Sequence, residues 1–266
     1  MAQNPSTTTS KPTENVKTAL VTGAARRLGK AIALSLAKQG WDIILHYHQS
    51  EKPAKETAKQ IRALNRQCFL IQADLAKAGA APLLFKQALS HVKSIDLLVN
   101  NASLFEYDSA NDFNAKQLKA HLGPNLIAPL ELAQSFSHQQ RFSPAVCHGV
   151  IIHLLDQKLW NLNPDFFSYT LCKAALQAAV TMQAQALAPK IRVMGLAPGL
   201  TLPSHMQDQA DFERTHKMAP LGQASTPQDI SQTVLYIANT PSLTGHTIIV
   251  DGGQHLVGFE RDFSLL

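Results

Sequence analysis

The sequence has few cysteines, few charged residues and no long apolar run. Its three cysteines, Cys68, Cys147 and Cys172, are odd in number and lack the spacing of metal ligands. The sequence therefore indicates neither a disulfide framework nor a zinc site. Reduced thiols are typical of the cytoplasm, which is the location we expect. No apolar stretch approaches the roughly 20 residues that cross a bilayer, so we expect no membrane partner.

The basic excess of the chain is small and dispersed. The 266 residues include 24 Lys and Arg against 19 Asp and Glu, a formal charge of +5, and no long basic run. An anionic cofactor or substrate explains this excess as well as nucleic acid does, and we expect no nucleic-acid partner. Residues 1–16 are polar and rich in threonine, which predicts a disordered N-terminal tail before one domain over residues 17–266.

Short apolar runs alternate with longer amphipathic stretches along this domain. Strands are predicted at residues 18–21, 42–45, 68–71, 95–99, 150–154, 191–196 and 247–250, and helices at 28–39, 54–65, 81–92, 126–138, 168–187 and 227–238. Strands that are apolar throughout and separated by helices indicate a parallel sheet covered on both faces. The sequence therefore predicts an α/β fold, a single-domain, Rossmann-type, doubly wound sheet of seven parallel strands with helices on both faces.

Residues 198–226 interrupt this alternation with Pro, Gly, His and mixed charges. Long irregular segments in compact domains are often functional loops. We therefore predict that residues 198–226 form a loop that covers the substrate.

The loop after the first predicted strand has the features of a dinucleotide-binding turn. It reads Thr-Gly-Ala-Ala-Arg-Arg-Leu-Gly over residues 22–29, and a predicted helix follows at once. Glycine permits a tight turn and close approach of a pyrophosphate, and the helix N-terminus supplies free N–H groups. A structural turn is the alternative for an isolated glycine pair, but the order strand, loop, helix favours nucleotide binding. Arg27 replaces the middle glycine of the usual fingerprint, and its guanidinium can bind an additional phosphate.

The end of the second predicted strand favours NADP over NAD. NAD-selective sites place a carboxylate there, which bonds the ribose 2′-hydroxyl and repels a 2′-phosphate. Here the chain reads His46-Tyr47-His48-Gln49-Ser50, with imidazole, amide and hydroxyl groups instead. His46 and His48 share a strand face and raise the alternative of a metal site, but no third ligand is near, so no metal is predicted.

Tyr169 and Lys173 lie four residues apart in a helical pattern, so their side chains share one face. An ammonium beside a phenol favours the phenolate, and we expect Lys173 to lower the pKa of Tyr169 toward the operating pH. Tyr169 would then be a usable proton donor. A surface pair is the alternative for these two residues taken alone.

From residue 22 to residue 253 the sequence resembles the short-chain dehydrogenase/reductase family. The matching motifs stand in the family's order: Thr22-Gly23 with Gly29, Asp74, Asn100-Asn101-Ala102, Asn125, Tyr169 with Lys173, Pro198-Gly199 and Asp251-Gly252-Gly253. The resemblance implies a homotetramer. It implies that Asp74 bonds the adenine and that Asn101 supports the fourth strand. It also implies that Asn125 holds a proton-relay water and that Lys173 grips the nicotinamide ribose. The NADP site it implies is formed by Gly23, Arg27, Leu28, His48, Gln49, Ser50, Asp74, Leu75, Asn101, Ala102, Ser103, Lys173, Pro198, Gly199 and Thr201.

Two departures from the common family pattern are shared with one branch, the pteridine reductases and dihydromonapterin reductases. Arg27 replaces a glycine, and Asp156, thirteen residues before Tyr169, replaces the serine that binds a substrate carbonyl. A serine hydroxyl donates to a carbonyl oxygen, whereas an ionised carboxylate would destabilise a developing oxyanion. Asp156 instead suits a ring nitrogen such as that of a dihydropterin, where it feeds or polarises Tyr169 if burial raises its pKa.

Further positions resemble the same branch. His48, Gln49 and Ser50 stand where the branch uses His-Arg-Ser on the 2′-phosphate, and Gln49 departs from that arginine. Ser103 matches a residue that touches cofactor and pterin, and Phe105 matches a phenylalanine that stacks on the pterin. An aromatic face suits a flat heteroaromatic ring, and the alternative for Phe105 is a plain core residue.

Together these residues predict an NADPH-dependent reductase of a pterin such as dihydromonapterin, dihydrobiopterin or dihydrofolate, with Tyr169 as the proton donor. The alternatives are a carbonyl reductase of the same family, acting on a 3-oxoacyl or similar substrate, and a non-catalytic NADP-binding sensor. Asp156 disfavours the first alternative, and the retention of Tyr169 with Lys173 disfavours the second. The predicted catalytic residues are Tyr169, Lys173, Asp156 and Asn125, and the predicted substrate contacts are Arg27, Ser103, Phe105, Asp156 and Tyr169.

Overall fold

Seven parallel strands form one sheet in the order β3-β2-β1-β4-β5-β6-β7. The computed structural model describes residues 16–139 and 149–266, so the predicted tail lies outside the described residues except for Val16. The strands are β1 (Thr18–Val21), β2 (Asp42–Tyr47), β3 (Cys68–Gln72), β4 (Leu97–Asn100), β5 (Gly149–Leu154), β6 (Ile191–Pro198) and β7 (Thr247–Val250). All seven predicted strands are present, with ends that differ by at most two residues.

Helices cover both faces of the sheet. One face carries α1 (Arg27–Lys38), α2 (Glu51–Ala63) and α8 (Pro227–Asn239), and the other carries α3 (Ala80–His91), α5 (Ala128–Ser137) and α6 (Phe167–Leu187). A short helix, α4 (Ala115–Leu122), packs against α6 and continues through a π-helical turn (Gly123–Ile127) into α5. The remaining helix, α7 (Gln209–His216), lies between β6 and α8. The predicted fold class is confirmed.

The sheet is buried on both sides because its side chains alternate between two apolar layers. In β1, Ala19 and Val21 face the layer that contains Ile32 of α1, whereas Leu20 faces the layer that contains Phe136 of α5. Every residue of β1 is therefore buried. This explains why the strands read as continuous apolar runs rather than as alternating ones.

Two helices, α4 and α7, are not predicted from the sequence, and α7 lies within the predicted substrate loop. Both are mostly polar, so their apolar periodicity is weak. Each begins at a side-chain cap: Asn114 accepts from the amides of Lys116 and Gln117, and Asp208 accepts from the amide of Asp211. These caps satisfy amides of the first turn that have no partner within the helix.

β1 lies between β2 and β4, so the loops that follow β1 and β4 lead to opposite sides of the sheet. Such a reversal of strand order opens a crevice at the carboxyl ends of the strands. The loops after β1, β4, β5 and β6 surround this crevice and carry eight of the predicted site residues: Gly23, Asn101, Ala102, Ser103, Phe105, Asp156, Gly199 and Thr201.

Candidate active site

A cavity of about 540 Å³ lies in this crevice. It brings together these predicted site residues: Arg27, Leu28, Asn101, Ser103, Phe105, Asp156, Tyr169, Lys173, Pro198, Gly199 and Thr201. Its wall does not include the other predicted residues: Gly23, His48, Gln49, Ser50, Asp74, Leu75, Ala102 and Asn125. It does include residues that were not predicted individually: Arg26, Leu154, Leu155, Gln157, Asp262, Phe263 and Ser264, with Leu200, Leu202, Ser204 and His205 from the predicted substrate loop.

The loop after β1 is fixed to the loop after β4 by hydrogen bonds. The Thr22 hydroxyl oxygen accepts from the amides of Asn101 and Ala102, each at 2.9 Å, and the Asn101 side chain donates to the Thr22 carbonyl at 2.9 Å. Gly23 has a φ of +64°, and a Cβ atom at Gly29 would collide with the Gly23 carbonyl. Only glycine at these two positions allows the loop to fold this tightly against the start of α1.

His46 holds the same loop from the other side, a role that the sequence did not reveal. The Gly23 amide donates to His46 Nδ1 at 3.1 Å, and His46 Nε2 lies 3.1 Å from the Ala73 carbonyl oxygen. These partners require a neutral ring with the proton on Nε2. Burial lowers the pKa of His46 to about 4, which agrees with this state. His46 is therefore a structural support of the loop.

Arg27 has a backbone conformation that favours glycine. Its φ is +54°, in the left-handed region that costs about 1 kcal/mol for a residue with a Cβ atom. Its guanidinium donates to the Pro203 carbonyl at 2.8 Å, which connects the loop after β1 to the segment after β6. Burial and the neighbouring Arg26 lower the pKa of Arg27. Two adjacent guanidinium groups thus line the cavity, and such groups bind phosphate oxygens well.

At the end of β2, His48 and Asp74 approach each other outside the cavity wall. His48 Nε2 lies 3.8 Å from Asp74 Oδ2, and Gln49 beside them is exposed. The Asp74 carboxylate also accepts from the amide of Ala76 at 3.1 Å. The structure therefore places the residues predicted for the 2′-phosphate next to the residue predicted for the adenine.

Tyr169 and Asp156 form the central contact of the cavity. The Tyr169 hydroxyl donates to Asp156 Oδ2 at 2.8 Å, and Asp156 Oδ1 accepts from the amide of Lys158 at 2.9 Å. Asp156 lies directly after β5, where it caps a 3₁₀ turn (Gln157–Trp160). Lys173, one helical turn after Tyr169, donates from Nζ to the Leu154 carbonyl at 2.6 Å.

The prediction that Lys173 lowers the pKa of Tyr169 toward the operating pH is wrong. Burial and the Asp156 carboxylate raise the pKa of Tyr169 well above its ordinary value. Burial also raises the pKa of Asp156 and lowers the pKa of Lys173 to about 8. Tyr169 therefore keeps its proton at neutral pH and can act as an acid, with Asp156 as its hydrogen-bond acceptor.

The sequence from residue 23 to residue 255 matches the family model described as Enoyl-(Acyl carrier protein) reductase. The chain belongs to the short-chain dehydrogenase/reductase family. It is 30% identical over 246 residues to the 3-oxoacyl-[acyl-carrier-protein] reductase FabG of Staphylococcus aureus, covering 90% of this chain and 98% of that protein. It is 29% identical over 263 residues to the hydroxynaphthalene reductase-like protein Arp2 of Metarhizium anisopliae, covering 90% and 94%.

Two solved structures resemble this short-chain dehydrogenase/reductase more closely in sequence. One is FolM alternative dihydrofolate reductase 1 from Brucella canis complexed with NADP, with a TM-score of 0.85 and 41% identity over 91% of this chain and 94% of that chain. The other is the Brucella suis protein in complex with NADP, with a TM-score of 0.85 and 40% identity over 91% and 96%. The predicted membership of the family is confirmed.

Asn125, which is predicted to hold a proton-relay water, lies behind the wall of the cavity. It lies in the π-helical turn before α5 and is fully buried. Its Oδ1 atom accepts from the Ser103 hydroxyl and the Leu104 amide, each at 2.9 Å, and its Nδ2 atom lies 3.2 Å from His121 Nδ1. Nδ2 also donates to the Leu104 carbonyl at 2.8 Å. The side chain of Asn125 therefore supports the segment that carries Ser103.

Phe105 lines the cavity but is not isolated there. Its ring stacks on that of Phe166, with centroids 4.0 Å apart, and meets the Tyr169 ring edge-on at 4.8 Å. Such ring pairs hold each other in one orientation. Phe105 is thus fixed beside the ring of the predicted proton donor.

The segment after β6 closes the other side of the cavity. The Thr201 hydroxyl donates to the Gly199 carbonyl at 2.8 Å and lies 2.7 Å from the Ser225 hydroxyl. The Gln254 side chain accepts from the Leu200 amide at 2.8 Å, so the start of this segment is fastened to residues after β7.

The part of the chain that the structure describes contains no helix long and apolar enough to cross a membrane. Within the same residues, no group of three or more His, Cys, Asp and Glu side chains is arranged to hold a metal ion.

Proposed function

We propose that this protein is an NADPH-dependent reductase of a pterin. The hydrogen bond between Tyr169 and Asp156 carries the proposal. The general family pattern has a serine at the position of Asp156, and a carbonyl substrate needs the hydroxyl of that serine. The resemblance to two NADP complexes of FolM alternative dihydrofolate reductase 1 supports both the cofactor and the substrate class. A pterin is flat and aromatic, which suits the ring of Phe105 in the same cavity.

The loop after β1 fits the pyrophosphate of NADP. Helix α1 begins there without a side-chain cap, so amides of its first turn are available to an anion. Gly23 and Gly29 leave room for close approach, and Arg26 and Arg27 supply positive charge. NADPH bound in this position supplies the hydride of the reaction. His48, Gln49 and Ser50 would hold the 2′-phosphate, and Lys173 would bond the nicotinamide ribose.

Tyr169 supplies the proton. Its raised pKa keeps it protonated, and its hydroxyl can turn from Asp156 to a nitrogen of the substrate ring. Asp156, whose pKa burial raises, can in its protonated form return a proton to Tyr169. Lys173, held by the Leu154 carbonyl, keeps positive charge beside the Tyr169 ring, 5.6 Å from its centroid.

A carbonyl reductase is the second candidate, because the relatives that include FabG are named for a 3-oxoacyl substrate. Asp156 disfavours this second candidate, because it replaces the serine hydroxyl that a carbonyl substrate needs. The test is a panel of substrates with purified protein, in which NADPH consumption is followed with dihydromonapterin, dihydrobiopterin, dihydrofolate, a diketone and a 3-oxoacyl thioester. We expect turnover with at least one pterin. Turnover only with the carbonyl compounds would favour the second candidate, and tight NADPH binding without any turnover would favour a sensor.

The homotetramer, the cytoplasmic location and the absence of a nucleic-acid partner stay predictions. Gel filtration with light scattering would test the homotetramer directly.

A further inference from the structure

Lys158 is a buried cation next to the catalytic pair, and the proposed reaction does not use it. It follows Asp156 by two residues in the 3₁₀ turn, and its side chain is 2% exposed. Its ammonium donates to Asp262 Oδ2 at 2.8 Å and to the side chain of Asn163. It also lies 5.6 Å from the centroid of the Phe166 ring. A buried charge is costly, so these contacts must compensate a large desolvation penalty.

The first partner of Lys158 belongs to the C-terminal segment, residues 261–266. Asp262, Phe263 and Ser264 of this segment line the cavity. Asp262 is close enough to contribute to the raised pKa values of Asp156 and Tyr169. The C-terminal segment therefore forms a wall of the cavity on the side of the proton donor.

Asp165 and Gln207 also hold the C-terminal segment in place. Arg261 Nε and the Asp262 amide both donate to Asp165 Oδ2 at 2.8 Å, and the Gln207 side chain donates to the Phe263 carbonyl at 3.0 Å. The ion pair of Lys158 with Asp262 has both side chains buried, at 2% and 13% exposed, whereas Arg261 in the pair with Asp165 is 50% exposed.

Phe166, the aromatic partner of Lys158, fixes the predicted stacking platform, Phe105. Phe166 has a φ of +53°, a conformation that an L residue adopts only when its surroundings require it. Its ring is fully buried between the ammonium of Lys158, the ring of Phe105 and the edge of Tyr107. The orientation of Phe105 therefore depends on Phe166.

We propose that Lys158 is a positioning residue. It sets the distance between the two walls of the cavity that would hold the substrate, the C-terminal segment and the Phe105–Phe166 ring pair. Its ammonium joins the C-terminal segment on one side to the Phe105–Phe166 ring pair on the other. An apolar residue of equal length would fill the same space at a lower desolvation cost, so the charge serves position rather than stability. The inference rests on the proposed function, since it assigns these two walls to a flat substrate.

The test compares Lys158→Met, Asp262→Asn and the double variant with wild-type protein. Lys158→Met is expected to raise the KM for dihydrobiopterin about tenfold, with kcat and the NADPH dissociation constant changed less than about threefold. The KM for dihydrofolate should rise less, because a wider cavity accommodates its larger substituent. A role in stability alone would lower the activity on both substrates equally. The double variant should resemble Lys158→Met, because both changes break one contact.

Lys55→Met is the matched control, since Lys55 forms an exposed ion pair with Glu51 at 2.6 Å and does not line the cavity. It should leave all constants unchanged. If Lys158→Met does not fold, Asp262→Asn, which removes the charge of the ion pair and keeps the size of the side chain, tests the same contact.

An active wild-type enzyme whose Lys158→Met or Asp262→Asn variant keeps its KM values and their ratio contradicts this inference alone. Wild-type protein that reduces no pterin contradicts the proposed function, and the inference with it.

Discussion

Asp156 accepts the Tyr169 hydroxyl at 2.8 Å, and its other oxygen is held by the amide of Lys158. The carboxyl group is thus fixed by two contacts and directed at the proton donor. Burial raises the pKa of both groups, so each keeps its proton to a higher pH than it would in water. A serine at this position would offer a hydroxyl donor, whereas Asp156 offers an acceptor that can also store a proton. Under the proposed function, this difference favours a pterin over a carbonyl substrate.

Replacement of Tyr169 by Phe should remove the proton donor while preserving its ring contact with Phe105. We expect kcat with a dihydropterin to fall by about 100-fold or more, because a positioned general acid contributes that much. NADPH binding, measured by fluorescence titration, should be retained, which shows that the variant is folded. Turnover close to that of the wild type would contradict the assigned role.

The pH dependence of turnover should follow Asp156. Its pKa is raised by burial, so the protonated form that feeds Tyr169 persists above the ordinary range of an aspartic acid and is lost as the pH rises through the raised pKa. We therefore expect kcat to fall with rising pH in the wild type. In Asp156→Asn the overall rate should be lower and the fall caused by Asp156 should be absent, which leaves only the fall near pH 8 where Lys173 loses its proton. Steady-state rates between about pH 5 and about pH 9 would show it, and an unchanged profile would refute the assignment.

Two buried histidines should make the fold sensitive to acid. Burial lowers the pKa of His46 and of His153 to about 4, whereas a histidine in the unfolded chain titrates near 6.5. A lowered pKa means that the unfolded state binds more protons, so stability is complete above about pH 6.5 and declines as the pH falls toward about 4.

Each histidine then accounts for about 1 to 3 kcal/mol of the free energy of unfolding. Urea denaturation at several pH values should show the decline in the wild type. His153→Gln should show a shallower decline, because one titrating group is removed. An equal slope in both proteins would mean that His153 does not carry this effect.

The sheet could be predicted from the sequence because the continuous apolar runs of β1 to β7 follow from burial on both faces. The short helices α4 and α7 could not be predicted, because they consist mostly of polar residues. Their only signal in the sequence is the capping residue of each, Asn114 and Asp208. In the site, Tyr169 and Lys173 lie on one helix four residues apart, and this spacing can be recognised in the sequence. The approach of Asp262 to the cavity depends on contacts between residues far apart in sequence, with Lys158 and Asp165, and has no local signal.

The preference for NADPH should respond to the charge at Gln49, which is exposed at the end of β2. A positive charge there would attract the 2′-phosphate and a negative charge would repel it. Gln49→Arg should raise the ratio of kcat/KM for NADPH to that for NADH about tenfold, and Gln49→Glu should lower it by a similar factor. Because the two variants place opposite charges at the same position, a shift in the same direction in both would contradict the placement of the phosphate.

Replacement of Asp156 by Ser should change the substrate class. The new hydroxyl would restore the donor that a carbonyl oxygen needs, and the carboxylate that would destabilise an oxyanion would be gone. With the acceptor for Tyr169 and its proton store also removed, dihydropterin turnover should fall about 100-fold. Reduction of a diketone or a 3-oxoacyl thioester should appear or increase.

Asp156→Ala is the matched control, since it removes the carboxylate without adding a hydroxyl. It should lose pterin turnover and gain little carbonyl turnover. If Asp156→Ser and Asp156→Ala gain carbonyl activity equally, the removal of negative charge alone explains the change and the hydroxyl is not needed. If wild-type protein already reduces the carbonyl compounds faster than any pterin, Asp156 does not exclude that substrate class, and the carbonyl reductase becomes the better assignment.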